Sequence, residues 1–302
     1  MSHHHHHHHH HLGDEKNLLI SIVLNVLITL TQIIGGFFAG SLALISDAVH
    51  NFSDVVSLVI SYIASKVSKQ KASLKKTFGN KRAEILAAFI NASSLIVLAL
   101  ILIIEAIKRI QNPEPINANI VIWLALLGIL FNGFSVLLLQ KGSHSNMNIK
   151  SAYLHLLSDM MASVAVLFGG LLIKYFDIYW VDSALTFGIG VYLIKMGFDL
   201  LKSSFNVLML FTPEDIKIKT IVKEIESIES ITNIHHVHVW QLNDHDIHLE
   251  AHITFSHNIQ LSEFDNILKE IELLLHDKFS IHHVNIQPEF NKCNHSEIIV
   301  QH

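Results

Sequence analysis

Six long apolar stretches constrain the fold of this chain more than any other feature of its sequence. Each is long enough for a helix rising 1.5 Å per residue to cross a hydrocarbon layer of about 30 Å. A mean hydropathy of +0.41, with only 16% charged residues, fits a polytopic membrane protein and not an ordinary soluble globule. The sequence therefore predicts a membrane all-α six-helix transmembrane bundle. Its spans are Asn17–Gly40, Ser41–Val67, Ala83–Ile110, Ile120–Gln140, Ile149–Tyr175 and Val181–Met209.

The loop between the second and third spans is strongly basic. Lys66–Arg82 contains seven Lys and Arg residues and no acid, so the positive-inside rule places it in the cytoplasm. A lipid headgroup-binding patch is compatible with the same placement. A second basic loop, Lys141–Lys150, agrees with it, and six spans then put both termini in the cytoplasm. We expect an integral, multi-pass protein of a bacterial cytoplasmic membrane.

After the last span the composition becomes polar, beginning near Thr212. Thr212 is typical of an N-cap, with Pro213 at the first helical position and a stripe of isoleucines at helical spacing after it. Two strands, an amphipathic helix and a third strand follow. This order, α-β-β-α-β, predicts a C-terminal cytoplasmic α+β ferredoxin-like domain. The elements after the first helix are Ile231–Gln241, Asp246–Ser256, Leu261–Lys278 and Ile281–Pro288.

Histidine is unusually abundant, and most of it lies towards the two ends of the chain. Of 24 histidines, nine form the run His3–His11 and twelve lie after residue 230. The run is either an added affinity tag or a native metal-attracting tail, and the absence of a protease site or linker after it favours a native segment. We expect a disordered tail at 1–16, a transmembrane domain at 17–210, a cytoplasmic domain at 211–290 and a tail at 291–302.

Two His-x-x-x-Asp pairs interrupt the apolar spans. His50 and Asp54 lie in the second span, and His155 and Asp159 lie in the fifth. On a helix this spacing puts both side chains on one face, one turn apart. Two such helices bring together two imidazoles and two carboxylates, a ligand set for a tetrahedral divalent metal with Zn²⁺ as the first choice. A single intramembrane His or Asp is often only a structural hydrogen-bonding group, but two copies of one pair favour a metal site.

Charge balance indicates how such a quartet would work. A carboxylate at the bilayer centre costs roughly 2.5–3.5 kcal/mol on insertion scales. Two carboxylates, two neutral imidazoles and one divalent cation sum to zero charge, whereas the empty site must take up protons. The quartet therefore predicts exchange of metal for protons, with His50 or His155 as the proton carrier. Asp47 has two interpretations, a metal-entry or supporting group and a helix cap near the membrane edge.

Four motifs carry a resemblance to a known family. They are Ser41–Asp54, Lys81–Ala88, Tyr153–Asp159 and His283–Glu289. Together with the six spans, they resemble the cation diffusion facilitator family over nearly the whole chain. The resemblance implies a homodimeric metal/proton antiporter that exports metal from the cytoplasm by alternating access, with the His/Asp quartet as its transport site. It implies Zn²⁺ as the metal, with Co²⁺ or Cd²⁺ sometimes accepted.

The resemblance also implies a regulatory metal in the cytoplasmic domain, at a dimer interface. By position the ligands there are His235, His252, His282 or His283, and Glu289. Strand alternation separates His235 from His238 and His282 from His283, so not all of them can converge on one side of the sheet. Solvent-facing strand histidines without a ligand role are the alternative. His238 and Cys293 are accessory candidates.

Other classes of function are excluded or remain as rivals. The sequence has neither a Gly-x-x-x-x-Gly-Lys-Ser/Thr loop nor a His-Glu-x-x-His motif, so we expect no ATPase, metalloprotease or other enzymatic activity. The Lys66–Arg82 loop lacks His, Asp and Glu, so we predict no metal site there. The rivals are a passive divalent-metal channel and a membrane metal sensor gated by the cytoplasmic domain. The expected partners are metal ions, protons, lipid and a second copy of the chain, and no nucleic acid.

Overall fold

The structure is a computed structural model that describes residues 11–140, 147–243, 246–290 and 297–300. The predictions for His3–His10, for the 141–146 part of the second basic loop and for Cys293 lie outside these residues. The chain divides into two compact units, which are described separately below. The first comprises Met1–Val59 with Asn91–Asp199, and the second comprises Ile60–Ile90 with Leu200–His302.

Six helices correspond to the six predicted spans, and all six are long and apolar enough to cross a membrane. Five of them begin and end within two residues of the predicted bounds. The first begins six residues before the predicted start, so the prediction that 11–16 is disordered is wrong, because the helix continues through a polar turn before its apolar part. The helices are α1 (His11–Ala39), α2 (Leu42–Ser68), α3 (Ala83–Gln111), α4 (Ala118–Leu139), α5 (Met147–Phe176) and α6 (Trp180–Leu208).

Small residues allow α1, α4 and α5 to pack closely in the first unit. A Cβ added to Gly128 on α4 would lie 2.6 Å from the Ser163 Oγ of α5 and 3.1 Å from the Gln32 Nε2 of α1. A larger residue at Gly128 would therefore displace the side chains of Ser163 and Gln32. Large apolar side chains such as Phe37 and Trp123 are exposed on the outer faces, as expected where lipid is the solvent. This packing sets the positions of α2 and α5 side chains that point into the bundle.

Asp182 of α6 caps the first turn of α2, which the sequence did not predict. Its carboxylate accepts hydrogen bonds from the Ser41 hydroxyl at 2.5 Å, from the Leu42 N–H at 2.7 Å and from the Ala43 N–H at 3.3 Å. Asp182 is only 2% exposed, although it lies close to the start of a membrane span. The first N–H groups of a helix have no partner within it, so a carboxylate from a neighbouring helix satisfies them.

The second unit contains the predicted α+β domain. Its elements are α7 (Ile218–Glu226), β1 (Ile231–Gln241), β2 (Ile247–Phe255), α8 (Leu261–Phe279) and β3 (His283–Glu289). The sheet order is β1-β2-β3, with β1 antiparallel and β3 parallel to β2. The α-β-β-α-β order is confirmed. One face of the sheet packs on both helices through a core that includes Ile221, Ile225, Leu249, Ile253 and Leu275.

The predicted N-cap at Thr212 is wrong. Helix α7 begins at Ile218 with Lys217 as its N-cap residue. The Thr212 hydroxyl instead donates to the Val239 carbonyl of β1 at 3.2 Å. Local cap residues indicate where a helix is able to begin, and here a hydrogen bond to a distant strand takes that hydroxyl.

A β-bulge breaks the alternation of β1 at its histidines. His235 pairs with His252 and His238 pairs with Glu250, so two residues of β1 lie opposite one residue of β2. His236 has a φ of 54°, in the left-handed region. Its N–H and that of Val237 donate to the carbonyls of Glu297 and Ile298, at 3.4 and 2.8 Å. The bulge places His235 and His238 on the same face of the sheet, which the simple alternation had excluded.

Candidate metal centre

The four residues of the His-x-x-x-Asp pairs meet in the first unit. The Nδ1 of His50 lies 3.6 Å from the Oδ2 of Asp54, one helical turn along α2. The Nε2 of His155 on α5 lies 3.3 Å from that same Asp54 oxygen and 3.4 Å from the Oδ2 of Asp159. The two imidazole rings are 5.9 Å apart and nearly perpendicular. Two pairs that are at least 101 positions apart in sequence thus form one cluster.

These separations match the edges of a tetrahedral metal site. Zinc bonds of about 2.0–2.2 Å to nitrogen and oxygen put neighbouring ligands about 3.3–3.6 Å apart in a tetrahedron. The three measured edges are 3.3, 3.4 and 3.6 Å. The ligand atoms of His50, His155 and Asp159 all lie within 4.8 Å of one another. Two nitrogens and one oxygen thus lie within reach of one small divalent cation, and Asp54 lies outside this group of three but contacts both imidazoles.

Burial leaves these groups in need of a cation or of protons. His50 and Asp159 are 8% and 2% exposed, whereas the side chains of Asp54 and His155 are 29% and 37% exposed. The His50 Nδ1 and the Oδ2 atoms of Asp54 and Asp159 are buried and lack hydrogen-bond partners among the described residues. Buried polar atoms are normally paired, and a cation or proton would satisfy all three.

Asp47 lies one turn before His50 but belongs to a different contact. It is 2% exposed, and its Oδ2 accepts a hydrogen bond from the Gln32 Nε2 of α1 at 3.2 Å. The cap interpretation is wrong, because the first N–H groups of α2 already donate to Asp182. Asp47 thus joins α1 to α2 beside the metal cluster, which agrees with a supporting group. Gln32 makes the helix-to-helix hydrogen bond typical of polar residues in membrane bundles.

A set of buried polar side chains that the sequence analysis did not single out lies in the same bundle. Each has at least one buried side-chain atom without a partner in the described part of the chain. Buried polar atoms are normally paired with protein or water, so this set marks a polar part of the bundle interior. Isolated Ser and Asn in apolar helices give too weak a signal for prediction. The buried polar side chains of this set are Ser46, Asn51, Asn132, Ser135 and Ser163.

A second cluster lies on the face of the sheet turned away from the helices. The Nε2 of His235 is 3.3 Å from one carboxylate oxygen of Glu289, and the Nδ1 of His252 is 3.1 Å from the other. Their ligand atoms also lie within 4.8 Å of one another. His235 and Glu289 are buried, and the His235 Nδ1 has no partner among the described residues. Two imidazoles and a carboxylate are the three-ligand set of an open zinc site.

His282 and His283 do not join this cluster, which corrects the five-residue set expected from the sequence. His283 pairs with His248 in the parallel register, and their rings are 4.7 Å apart. His248 is four residues from His252 along β2, about 13 Å at the rise of a strand. The ring of His282 instead faces His276, at 5.6 Å. One ion cannot bridge these distances within a single chain.

His238, the accessory candidate, packs beside the cluster without joining it. Its ring is 5.1 Å from that of His236, which stacks on His252 at 4.5 Å. These histidines surround His252 because the bulge brings consecutive side chains to one edge. They extend the cluster as a band of imidazoles along the open face.

Charged groups next to the sheet have shifted pKa values outside the membrane spans. A hydrogen bond from Lys81, 2.7 Å away, holds the pKa of the Asp246 carboxyl below its ordinary value. Burial, with the nearby His283, lowers the pKa of His248. Asp246 therefore stays ionised and His248 neutral around pH 7. The ion pair joins the basic loop before α3 to the β1–β2 connection.

A transmembrane bundle with a buried quartet of imidazoles and carboxylates, joined to a small sheet domain with its own cluster, defines a membrane protein that handles divalent cations. Comparison with protein families agrees. The description "Cation efflux transmembrane domain" matches residues 18–209, and "Cation efflux protein, cytoplasmic domain" matches residues 213–290. The chain belongs to the cation efflux family, which confirms the resemblance to the cation diffusion facilitators.

Individual relatives align over nearly their full length. A cadmium, cobalt and zinc/H(+)-K(+) antiporter of Bacillus subtilis (strain 168) is 37% identical over 290 residues, 95% of this chain and 93% of that protein. The metal cation efflux system protein CzcD of Cupriavidus metallidurans is 35% identical over 285 residues, 94% and 90% of the two chains. The zinc transporter ZitB of Escherichia coli (strain K12) is 32% identical over 267 residues, 88% and 84%.

Proposed function

We propose that this protein is a secondary active transporter that exports divalent metal from the cytoplasm in exchange for protons by alternating access. Zn²⁺ is the foremost cargo, with Co²⁺ and Cd²⁺ also accepted. The observation that carries the proposal is the clustering of His50, Asp54, His155 and Asp159, in which three of the separations equal the edge length of a tetrahedral zinc site. The names of the relatives support both the cargo and the antiport.

Charge balance supplies the coupling between metal and protons. With the cation bound, two carboxylates and two neutral imidazoles form a neutral site. When the cation leaves, two carboxylates remain in a low-dielectric bundle, and protons must replace the lost charge. Asp54 and Asp159 hold the cation through charge, while His50 and His155 complete the tetrahedron and carry protons in the empty site. Asp47 and Gln32 fix the position of α2 against α1 during this exchange.

The C-terminal domain has a regulatory role in this proposal. Two copies of the chain associate through it, with both termini in the cytoplasm. A metal ion held by His235, His252 and Glu289 would supply charge neutralisation on the open sheet face and tighten the dimer. The unpartnered His235 Nδ1 and the paired Glu289 oxygens suit such an ion. The His-rich N-terminus serves as a metal collector for the transport site.

Flux measurements in proteoliposomes test the proposal. Liposomes that contain a zinc-sensitive dye and the purified protein should take up Zn²⁺ faster when an outward-directed proton gradient is imposed. A pH-sensitive dye should report proton movement in the opposite direction, in step with zinc. Collapsing the gradient with a protonophore should slow zinc uptake to the rate measured without an imposed proton gradient. The measurement is repeated with a K⁺ gradient, because one relative is named for K⁺ as well as H⁺.

Each rival gives a different result in this assay. A passive channel would give zinc uptake that an imposed pH gradient does not change. A sensor would give uptake at the level of empty liposomes, both for the natural protein and for Asp54→Ala. Either result would overturn the antiport proposal.

A further inference from the structure

The basic loop before α3 contains a positively charged side chain, Arg82, that has no part in the proposed transport. Among the described residues, only Lys81 of its seven basic side chains forms an ion pair, with Asp246. Arg82 has no carboxylate partner among them, and its Nε is buried without a hydrogen-bond acceptor. The nearby acid Glu84 accepts a hydrogen bond from the Ser68 hydroxyl at 2.8 Å. A buried guanidinium N–H without an acceptor points to an absent anionic ligand.

Arg82 lines a cavity of about 700 Å³ within the second unit. This volume lies in the range of small-molecule sites. One part of the cavity is cationic and polar, with Lys81 and Arg82 beside Gly79 and Asn80. The remainder is apolar, and its walls are Phe78, Leu86, Leu208, Leu210, Trp240 and Leu242. The described lining contains no acidic residue.

The location of this cavity decides which anion fits it. One wall is the beginning of α3 and another is the end of α6, which are the ends of two helices long and apolar enough to cross a membrane. Trp240 adds an aromatic wall, and such rings favour the headgroup level of a bilayer. A free phosphate would use only the cationic part and leave the apolar walls uncovered. A phospholipid has a phosphate and an acyl chain joined at this same depth.

We propose that this cavity binds an anionic glycerophospholipid, with its phosphate on Arg82 and the first part of an acyl chain against Leu86, Leu210 and Trp240. Bidentate contact of a guanidinium with phosphate oxygens satisfies the buried Nε. Lys81 remains with Asp246 and adds positive potential without direct contact. A lipid held there bridges the start of α3 and strand β1 of the C-terminal domain. This site is separate from the metal clusters and does not depend on the identity of the cargo.

Fluorescence of Trp240 tests this site in the full-length protein. Trp123→Phe and Trp180→Phe leave Trp240 as the single tryptophan of the chain, which has three. The protein is reconstituted in phosphatidylcholine with a small fraction of phosphatidylglycerol brominated near its headgroup. We expect this lipid to quench Trp240, and brominated phosphatidylcholine at the same fraction to quench it much less. Quenching that does not differ between the two lipids would overturn the proposal.

Two substitutions then test whether the lipid binds at the cavity or at the basic loop in general. Arg82→Gln should weaken the apparent affinity for phosphatidylglycerol about tenfold or more, because it removes the charged hydrogen bonds to the phosphate. Lys75→Gln removes the same charge from an exposed position of the same loop and should leave the affinity within twofold. Equal losses in both variants would mean a diffuse basic surface and would overturn the site.

A third variant and a competitor complete the test. Leu86→Glu keeps Arg82 and places a carboxylate on the cavity wall, in the first turn of α3 where an acid is compatible with the helix. It should remove the preference for phosphatidylglycerol, and an unchanged preference would contradict the proposed position of the acyl chain. Millimolar inorganic phosphate should not relieve the quenching, and full relief would identify a phosphate site instead. These readouts measure binding, so they are independent of whether the protein transports metal.

Discussion

Asp54 is the residue that joins the two halves of the metal cluster. Its Oδ2 lies 3.6 Å from His50 on its own helix and 3.3 Å from His155 on α5. Asp159 lies deeper, at 2% exposure, and its Oδ2 is 3.4 Å from the Nε2 of His155. The spacing within each pair follows from sequence, since residues four apart share a helical face.

Asp159→Ala should abolish zinc transport while the protein remains a folded dimer. The substitution removes one candidate ligand and half of the negative charge of the cluster. Loss of a residue that only supports a ligand lowers metal affinity 10–100-fold, so loss of a ligand should lower zinc affinity by more than about 100-fold. Zinc flux in proteoliposomes and size-exclusion chromatography with light scattering measure the two effects. Asp215→Ala, the same change at an exposed position, is the control. Aggregation of Asp159→Ala would indicate a structural residue.

Asp182→Ala should destabilise the first unit by about 1–3 kcal/mol, because three donors at the start of α2 lose their acceptor. Asp182→Asn keeps one acceptor oxygen and should give an intermediate loss. Thermal unfolding of the solubilised protein measures both variants. Asp199→Ala changes an exposed position of the same helix and should have little effect. A loss in Asp199→Ala equal to that in Asp182→Ala would contradict the cap.

At the scale of elements, the bulge in β1 determines which histidines share a face. A regular strand would put His235 and His238 on opposite faces, because their separation is odd. The bulge at His236 and Val237 restores them to one face and leaves His235 beside Glu289. The position of the bulge depends on a φ of 54° at His236, a conformation that costs energy for residues other than glycine.

His236→Val should destabilise the C-terminal domain by about 1–2 kcal/mol, because a β-branched residue is strained in the left-handed region. His236→Gly should retain the bulge and most of the stability. Thermal unfolding of the full-length protein compares the two. A second readout is zinc binding in an Asp159→Ala background, which the valine should weaken more than the glycine does. Equal behaviour of valine and glycine would mean that the strand does not require this conformation.

At the scale of the whole molecule, the proposed dimer would depend on metal in the C-terminal domain. His235→Ala removes one of the two imidazoles beside Glu289. It should weaken zinc-dependent dimer formation about tenfold and reduce zinc flux without abolishing it. Mass photometry with added zinc and with a chelator measures the dimer. His257→Ala, an exposed histidine paired with Glu263 at 3.8 Å, is the control. A dimer that responds equally to zinc with and without His235 would contradict the regulatory site.

Sequence by itself determined the features that depend on neighbours along the chain. The six spans follow from hydropathy, the pairs His50/Asp54 and His155/Asp159 from helical periodicity, and the α-β-β-α-β order from alternating and amphipathic patterns. These signals are local, because backbone geometry repeats every few residues. Five of the six helix bounds agree with the structure within two residues for that reason.

Only the tertiary structure decided which of these local features meet. It brought α2 and α5 together at zinc-ligand distances, assigned Asp47 to Gln32 and Asp182 to the start of α2, and paired His283 with His248 and not with His252. Such contacts join residues far apart in sequence, and a hydrogen bond to a distant helix leaves no periodic trace. The bulge at His236 is of the same kind, because its conformation follows from pairing with β2 and not from its neighbours. Chain periodicity therefore supplied the candidate ligands, and packing selected which of them lie together.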